Sequence, residues 1–296
     1  MKTPTDTHAR RCRGFTLVEL LVVIAIIAIL ASLLLPVLGQ VKVKAQIKKA
    51  GLEVQGIATA IHTYESENSK FPVSSVGAVT AMSEASRLGE DFTYGTAGVI
   101  CVGPAGPNAS GAGFTKPGGG FQTIITVGST YNTNNAEVMA VLLDVENWPG
   151  VTGPTINKDH VKNPNKTQYL TAHMSGNTSL PGVGTDGIYR DPWGNPYIIT
   201  VDLNYDEKAR DAFYRDPAVS QDPSDGTGNR GLNGLIKKRD SAGNAVLVNG
   251  KPVFEANDHV MVWSAGPDKM IDPNTANDPN GRANKGANKD NVLSWK

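Results

Sequence analysis

The chain opens with two different hydrophobic patterns placed end to end, and the first is almost purely apolar. It covers residues 15–35, and the stretch from Leu20 to Ala31 carries no polar side chain. As a helix these 21 residues measure about 30 Å, roughly the hydrocarbon thickness of a bilayer. The pattern predicts a lipid-facing transmembrane helix over 15–38 rather than a buried helix of a soluble domain.

The second pattern is an amphipathic stripe within residues 39–72. Six apolar residues follow helical spacing and share one face: Ile47, Ala50, Val54, Ile57, Ile61 and Tyr64. The stripe predicts a stem helix that covers a sheet and stops near Asn68, Phe71 and Pro72. Together the two patterns predict one helix of about 55 residues, far longer than an ordinary globular helix.

Two residues interrupt the apolar part of this helix. Glu19 is costly inside a membrane, and such residues are usually functional. It lies about 6 Å below the helix end at Phe15, so the membrane tolerates it and a partner can use it. Pro36 removes a backbone donor and clashes with the carbonyl of Ser32. We expect a kink or local melting of the helix at Pro36. The alternative is that Pro36 only marks where the helix leaves the membrane.

After the stem the composition changes. Residues 73–186 are rich in Gly, Pro, Asn and Thr, including the stretch 103–107, and predict a long loop-rich insert. Two ordered pieces are expected within it: a strand at Thr123–Val127 and a short helix at Ala136–Val145. A variable loop region of this length is where subunit-specific binding would reside.

Residues 187–296 carry the strand signals. They predict strands at Pro196–Leu203 and His259–Ser264, a hairpin over Ala245–Phe254 turning at Asn249-Gly250, and a short helix over Asp206–Tyr214. The chain therefore predicts an α+β fold, in which the long helix packs on a small antiparallel sheet of three or four strands.

Charge predicts the topology of the chain and excludes one partner. Before the apolar run, basic residues outnumber Asp6: Lys2, Arg10, Arg11 and Arg13. The positive-inside tendency keeps residues 1–14 in the cytoplasm and sends the remainder across. An ordinary signal peptide, cut near the small residues Ala28, Ala31 and Ser32, is the alternative. The formal net charge of zero makes nucleic-acid binding unexpected.

Candidate catalytic motifs are weak. Gly182–Gly187 fits the dinucleotide pattern G-x-G-x-x-G, but no strand precedes it and no helix follows, so we interpret it as a chance match. The histidines lack metal-ligand spacing: His62, His160, His173 and His259. The two cysteines give no disulfide framework. We therefore expect that the chain is not an enzyme.

The N-terminal segment Gly14-Phe15-Thr16-Leu17-Val18-Glu19 resembles that of type IV pilin-like proteins, which include pilins and the pseudopilins of type II secretion. The resemblance implies that a prepilin peptidase cleaves after Gly14 and methylates Phe15. The new α-amino group of Phe15 would then be a cation without a lipid-phase partner. Glu19 of a neighbouring subunit can neutralise it and set the register of assembly.

A second signal comes from three separated motifs: Asp191-Pro192-Trp193-Gly194-Asn195-Pro196-Tyr197, then Trp263–Asp268, then Asp290–Trp295. Together they resemble the major pseudopilin of type II secretion. The first is a rigid double turn, with Trp193 available to pin it against the stem. The resemblance implies a calcium ion held by Asp268, Asp290 and Asn291 with nearby carbonyls. Lys269 and Lys289 depart from that pattern, and a plain loop stabilised by turns is the alternative.

These resemblances imply a structural subunit. It would sit in the inner membrane with its head in the periplasm, and polymerise with itself and other pseudopilins into a periplasmic pseudopilus. Its further partners would be the prepilin peptidase and the inner-membrane secretion platform. The alternatives are a type IV pilus subunit for adhesion, motility or DNA uptake, and a membrane-tethered binding protein or enzyme that never polymerises.

Overall fold

A computed structural model describes residues 15–74, 91–96, 100–103, 106–108, 134–248, 251–272 and 282–296. Its dominant element is helix α1, Leu17–Asn68, of 52 residues. By contacts the chain divides into two compact units, one up to Ala45 and the other from Gln46 onward. The predicted leader 1–14, with Gly14, lies outside the described residues.

Helix α1 confirms the predicted long helix. It continues through Pro36, so the expected local melting is not seen, while a kink stays a prediction. At the C-terminal end of the helix, the Asn68 side-chain amide donates a hydrogen bond to the Tyr64 carbonyl at 3.0 Å. Ser69 then adopts a positive φ of 53°, which turns the chain out of the helix.

In the first unit, the apolar side chains of α1 are exposed. The most exposed large ones in the described residues include Leu17, Val18, Leu33 and Leu35. A helix whose apolar residues face outward on every side needs lipid or other helices around it. Helix α1 is long enough, and its N-terminal part apolar enough, to cross a membrane.

In the second unit, the remaining part of α1 supplies one wall of the core. Five residues of the predicted stripe are buried: Ala50, Val54, Ile57, Ile61 and Tyr64. Ile47 is the exception, because it is 37% exposed and lies a turn before the part of the helix that the sheet covers. The prediction was wrong at that position only.

The described residues also contain thirteen short strands, two further α-helices and three 3-10 helices, at Lys158–His160, Leu232–Gly234 and Gly286–Asp290. The helices are α2, Ala136–Leu142, and α3, Pro217–Ser220. The strands are β1 Phe92–Tyr94, β2 Ile100–Gly103, β3 Gly106–Asn108, β4 Gly182–Val183, β5 Tyr189–Arg190, β6 Ile198–Val201, β7 Ile236–Lys237, β8 Leu247–Val248, β9 Lys251–Pro252, β10 Phe254–Glu255, β11 Val260–Ser264, β12 Met270–Ile271 and β13 Val292–Leu293.

The main sheet has four antiparallel strands in the order β1-β6-β11-β13. This confirms the predicted α+β fold and the strands predicted at β6 and β11. One edge strand, β1, comes from the segment predicted to be a loop-rich insert, so that prediction was wrong there. It was also wrong at 103–107, since β2 pairs with β3 across this stretch.

The main sheet is buried on both faces, which the sequence did not predict. Val260 and Val262 point to the core formed with α1 and α2. Met261 and Trp263, the alternate residues of β11, pack in a second cluster with Phe213. Segments from the carboxyl half cover this second face, and β11 is therefore apolar at nearly every position.

The helix predicted over Asp206–Tyr214 does not form. Ala209 pairs instead with the extended backbone at Ala256, and the Asp211 carboxylate accepts the amides of Phe213 at 2.8 Å and Tyr214 at 2.9 Å. A buried carboxylate that accepts local amides competes with helical hydrogen bonds.

The remaining local predictions have mixed outcomes. α2 confirms the helix predicted over Ala136–Val145, although it is shorter. The hairpin over Ala245–Phe254 is confirmed by the pairing of β8 with β9, while its turn residues, 249 and 250, lie outside the described residues. The predicted strand Thr123–Val127 also lies outside them.

Candidate functional site

The start of α1 is organised by a reciprocal capping box. The Glu19 Oε2 atom accepts from the Thr16 amide at 2.9 Å and from the Thr16 hydroxyl at 2.8 Å. The Glu19 amide donates back to Thr16 Oγ1 at 3.2 Å. Thr-x-x-Glu is the sequence signature of this arrangement, so the pattern was visible in the sequence and was missed. Glu19 therefore has a role within its own subunit as well as the predicted one between subunits.

Phe15 lies just before this box and is 72% exposed. The side chains that follow it are apolar and exposed, and Glu19 is the acidic residue of the first helical turn. The segment thus places the exposed Phe15, the second residue of the predicted cleavage point, close to a carboxylate at the start of a helix that is long and apolar enough to cross a membrane.

In the second unit, Asp191 organises the turn of the first head motif. Its Oδ1 atom accepts the amides of Trp193 and Asn195, both at 2.9 Å. Its Oδ2 atom accepts from the Asn195 side chain at 3.0 Å and from the Ser264 hydroxyl at 2.5 Å. The Asp191 amide donates to the Asn195 carbonyl at 2.8 Å. The turn is thereby joined to the second motif, which contains Ser264.

Asp191 is fully buried. Burial raises the pKa of its carboxyl, and the hydrogen bonds from Ser264 and Asn195 offset part of that rise. The stem reaches the same turn through Gln46, whose side-chain amide donates to the Pro192 carbonyl at 3.2 Å. Trp193 is half-buried.

The predicted calcium residues meet at the corner that follows β11. Gly266 has a positive φ of 74°, and a side chain there would collide with the Asp290 carbonyl. Asp268 Oδ1 accepts the Met270 amide at 2.9 Å. Asn291 donates its side-chain amide to the Tyr214 hydroxyl at 2.8 Å. Asp290 Oδ1 and Asn291 Oδ1 are buried and have no hydrogen-bond partner among the described residues.

The two carboxylates of this corner affect each other. Burial first, and the charge of Asp290 second, raise the pKa of Asp268 to about 6. Burial also raises the pKa of Asp290. The carboxylates of Asp268 and Asp290 and the side-chain oxygen of Asn291 form a donor set of the kind that calcium uses, and two of these oxygens, Asp290 Oδ1 and Asn291 Oδ1, accept no hydrogen bond from the described residues. The residues present therefore fit a hard cation.

No group of three or more His, Cys, Asp or Glu side chains in the described part of the chain is placed to hold a metal ion. A cation at this corner would accordingly draw on Asn291 and on backbone carbonyls, as well as on Asp268 and Asp290. Oxygen ligands of mixed type are ordinary for calcium.

The third motif closes the head against both the sheet and the stem. The Ser294 amide donates to the Val262 carbonyl at 2.9 Å, and the Val262 amide donates back to Ser294 Oγ at 3.0 Å. The Gln55 side chain donates to the Ser294 carbonyl at 2.6 Å. Trp295 packs edge-on against Tyr214, with ring centroids 5.1 Å apart. The structure thus brings all three head motifs together.

The turn of Asp191 recurs twice in the second unit. Asp225-x-x-Gly228-Asn229 and Asp240-x-x-Gly243-Asn244 repeat its pattern Asp-x-x-Gly-Asn. In each, the glycine has a positive φ and its amide donates to the aspartate carbonyl. The repeat was readable in the sequence, but only the first copy was singled out.

The other candidate chemistry resolves into structural contacts. Gly182–Gly187 supplies strand β4 and most of the turn that leads into β5, so a strand and not a helix follows these glycines. His62 Nε2 lies 3.0 Å from Asp258 Oδ1, and this contact raises the pKa of His62. His160 lies between Asp144 at 2.7 Å and Glu146 at 3.0 Å.

Comparison with known proteins agrees with the N-terminal and head motifs. Residues 9–35 match the prokaryotic N-terminal methylation motif. The chain is 33% identical over 109 residues to type II secretion system core protein G of Aeromonas hydrophila, a match that covers 37% of this chain and 76% of that relative. The chain belongs to the core protein G family.

Other relatives agree with this assignment. Core protein G of Vibrio cholerae is 29% identical over 140 residues, which is 47% of this chain and 93% of the relative. The type IV major pilin protein PilE1 of Neisseria gonorrhoeae is 38% identical over 69 residues, but these cover only 23% of this chain and 42% of the pilin. No solved structure matches the chain. More than half of this chain therefore lies outside each match.

Proposed function

We propose that this protein is a structural pseudopilin subunit, processed at Gly14-Phe15 and polymerised into a periplasmic pseudopilus for type II protein secretion. The observation that carries the proposal is the match to core protein G over most of that relative's length. The exposed Phe15 and the apolar α1 support it, because they are what membrane insertion and helix-driven assembly need. The subunit would lie in the inner membrane with its head in the periplasm.

The partners follow from this role. Copies of the chain and other pseudopilins would pack through the exposed apolar face of α1, the prepilin peptidase would cleave and methylate it, and the inner-membrane platform would drive assembly. A structural subunit needs no catalytic site, so the proposal includes no enzyme activity and no nucleic-acid partner.

A second candidate is a subunit of a surface type IV pilus, which the partial match to PilE1 favours. Mass spectrometry of sheared fibres and of membranes separates the two. Methylated Phe15 confined to membranes is expected for a pseudopilin, and its abundance in sheared fibres would establish the pilus instead. An intact leader, or a chain that starts beyond Ala28, would contradict both.

The assembly role of Glu19 can be separated from its role in the capping box. Glu19→Gln keeps a side chain that suits the box but removes the charge that would pair with the Phe15 amine. Thr16→Ala keeps the charge and loses the cap. We expect Glu19→Gln to be processed normally and excluded from fibres, and Thr16→Ala to assemble. The reverse order would mean that capping, and not charge, is what assembly requires.

We also propose that the corner of Asp268, Asp290 and Asn291 binds calcium, which would neutralise the paired carboxylates there. The support is the pair of buried oxygens that accept no hydrogen bond from the described residues. Millimolar calcium should raise the melting temperature of the full chain in detergent, and Asp290→Asn should remove that shift. Asp225→Asn, in an exposed turn, is the matched control and should keep it. An unchanged melting temperature of the parent chain would refute calcium binding.

A further inference from the structure

The calcium corner is also where part of the insert is attached to the head. Strand β12 begins two residues after Asp268 and pairs in parallel with β2, with Met270 opposite Ile100 and Ile271 opposite Cys101. Strand β2 in turn pairs with β3 as a hairpin. We name β2 and β3, Ile100–Asn108, the insert hairpin. Among the described residues, the insert hairpin therefore pairs with β12, a strand that lies between the proposed calcium ligands Asp268 and Asp290.

Residues at or next to the proposed cation site also hold β12 in place. Asp268 Oδ1, a proposed ligand atom, accepts the amide of Met270, the first residue of β12, at 2.9 Å. At the other end of β12, the Asp272 amide donates to the side chain of Asn288 at 2.9 Å. The Asn288 side chain donates back to the Asp272 carbonyl at 2.7 Å. Asn288 itself is buried and lies two residues before Asp290.

Strand β12 is thus positioned by the loop and not by its own length. Two residues of pairing make a marginal strand, which needs other contacts to hold it. Its position is fixed by Asp268 on one side and by Asn288 on the other. A cation that draws Asp268 and Asp290 together would hold both of these contacts in place.

We infer that cation binding at this corner and docking of the insert hairpin are thermodynamically coupled, with Asp268 as the positioning residue that links them. The inference rests on the calcium proposal. The insert hairpin would then be docked against β12 when a cation occupies the corner, and it would be released more often when the corner is empty. Coupling of this kind is reciprocal, so the docked hairpin must also strengthen cation binding by the same factor.

Amide hydrogen exchange tests the first direction on the processed full chain in detergent, with and without calcium. Peptides that cover residues 286–293 report cation binding, and peptides that cover 100–103 report docking. We expect exchange to slow in both, by about fivefold or more in the hairpin, which is the lower end of ordinary coupling. Slower exchange only in 286–293 would overturn the coupling and leave calcium binding intact. No change in either would overturn both.

The reverse direction uses a variant that lies away from the proposed ligands. Val102→Pro removes a backbone donor from β2, the middle strand between β12 and β3, and proline in a central strand disrupts its pairing. Calcium titration of this variant should show affinity weakened by about fivefold or more. The matched control is Val248→Pro in the β8–β9 hairpin, where the same change should leave calcium affinity unchanged. Unchanged affinity in Val102→Pro, or equal weakening in both variants, would overturn the coupling.

Discussion

Two turns of the same design lie in opposite surroundings in the second unit. In the first turn, Asp191 and Pro192 are buried and residues 193–195 are half-buried, while all of Asp240–Asn244 is exposed to solvent. In both, the aspartate accepts the amide two residues on at 2.9 Å, and its own amide donates to the asparagine carbonyl, at 2.8 Å in the first and 2.9 Å in the second. The local sequence therefore sets the turn, whatever surrounds it.

The surroundings determine what the aspartate does. Burial raises the pKa of Asp191, whereas the hydrogen bonds from Asn244 lower the pKa of Asp240. Asp191 also accepts from Ser264 in another strand, and so it fastens the turn to the sheet. The comparison teaches that one short motif can serve as a surface turn or as an internal fastener.

Removing the carboxylate should separate the two turns most strongly. Asp191→Ala leaves the buried Ser264 hydroxyl without its acceptor and removes the hydrogen bonds that Asn195 donates to Asp191, and it should lower the free energy of unfolding by about 3 kcal/mol. Asp240→Ala, the matched change, should have a much smaller effect because water replaces the lost acceptor. Urea unfolding of the full chain in detergent, followed by tryptophan fluorescence, measures both. Equal losses would contradict the assignment of Asp191 as a fastener.

The glycines give the next largest difference. Gly194 and Gly243 have similar positive φ values of 93° and 82°, so alanine should strain both by about 1 kcal/mol. Only at Gly194 would the added Cβ approach another segment, the Ser179 carbonyl at 3.0 Å. We expect Gly194→Ala to cost about 2 kcal/mol in total. The same unfolding measurement checks this, and a larger loss for Gly243→Ala would show that strain, not space, dominates.

Exchanging the two middle residues tests how far the turn is independent of its context. Replacing Pro192-Trp193 by the Ser-Ala of the exposed turn keeps Asp, Gly and Asn in place. The geometry should survive, and the loss should be about 1 kcal/mol, from the half-buried Trp193. The reciprocal exchange at residues 241–242 is the control. Loss of the Asn195 amide's protection in hydrogen exchange would show that Pro192 or Trp193 is needed for the turn itself.

The pH dependence should have opposite signs in the two turns. The pKa of Asp191 is raised above its ordinary value of 3.8, so the native state holds its proton more tightly than the unfolded state. The stability of the parent chain relative to Asp191→Asn should therefore increase as the pH falls from neutral to about 4.

For Asp240 the lowered pKa means that its stabilising contribution is present above the unfolded value and fades as the pH falls through the folded pKa. The parent chain should lose its advantage over Asp240→Asn on acidification. Urea unfolding at several pH values gives both slopes. Slopes of the same sign would show that burial does not control the titration of Asp191.

Periodicity predicted the elements that have enough residues to show it. The stem stripe from Ala50 to Tyr64 spans about four helical turns. Strand β11 is a run of five buried residues from Val260 to Ser264. β1 was missed because its three residues are too few for any period. It is held by the Thr93 hydroxyl, 2.9 Å from that of Thr200, a contact across more than one hundred positions of the chain.

The failed helix over Asp206–Tyr214 has a similar cause. Asp211 accepts from Thr200 at 2.7 Å and from the Trp263 indole at 3.0 Å, so its role depends on residues far away in sequence. By contrast, the three head motifs were found through their resemblance to those of the major pseudopilin. What the sequence could not give was that Asp191 would reach Ser264, or that the insert hairpin would meet the strand after Asp268.

Asn135, the residue directly before α2, is fully buried. Its side chain donates to the carbonyls of Tyr189 at 3.0 Å and Tyr197 at 2.8 Å, and accepts the Tyr189 amide at 2.9 Å. A single asparagine side chain thereby takes the place of main-chain pairing between the start of α2 and the residues Tyr189 and Tyr197.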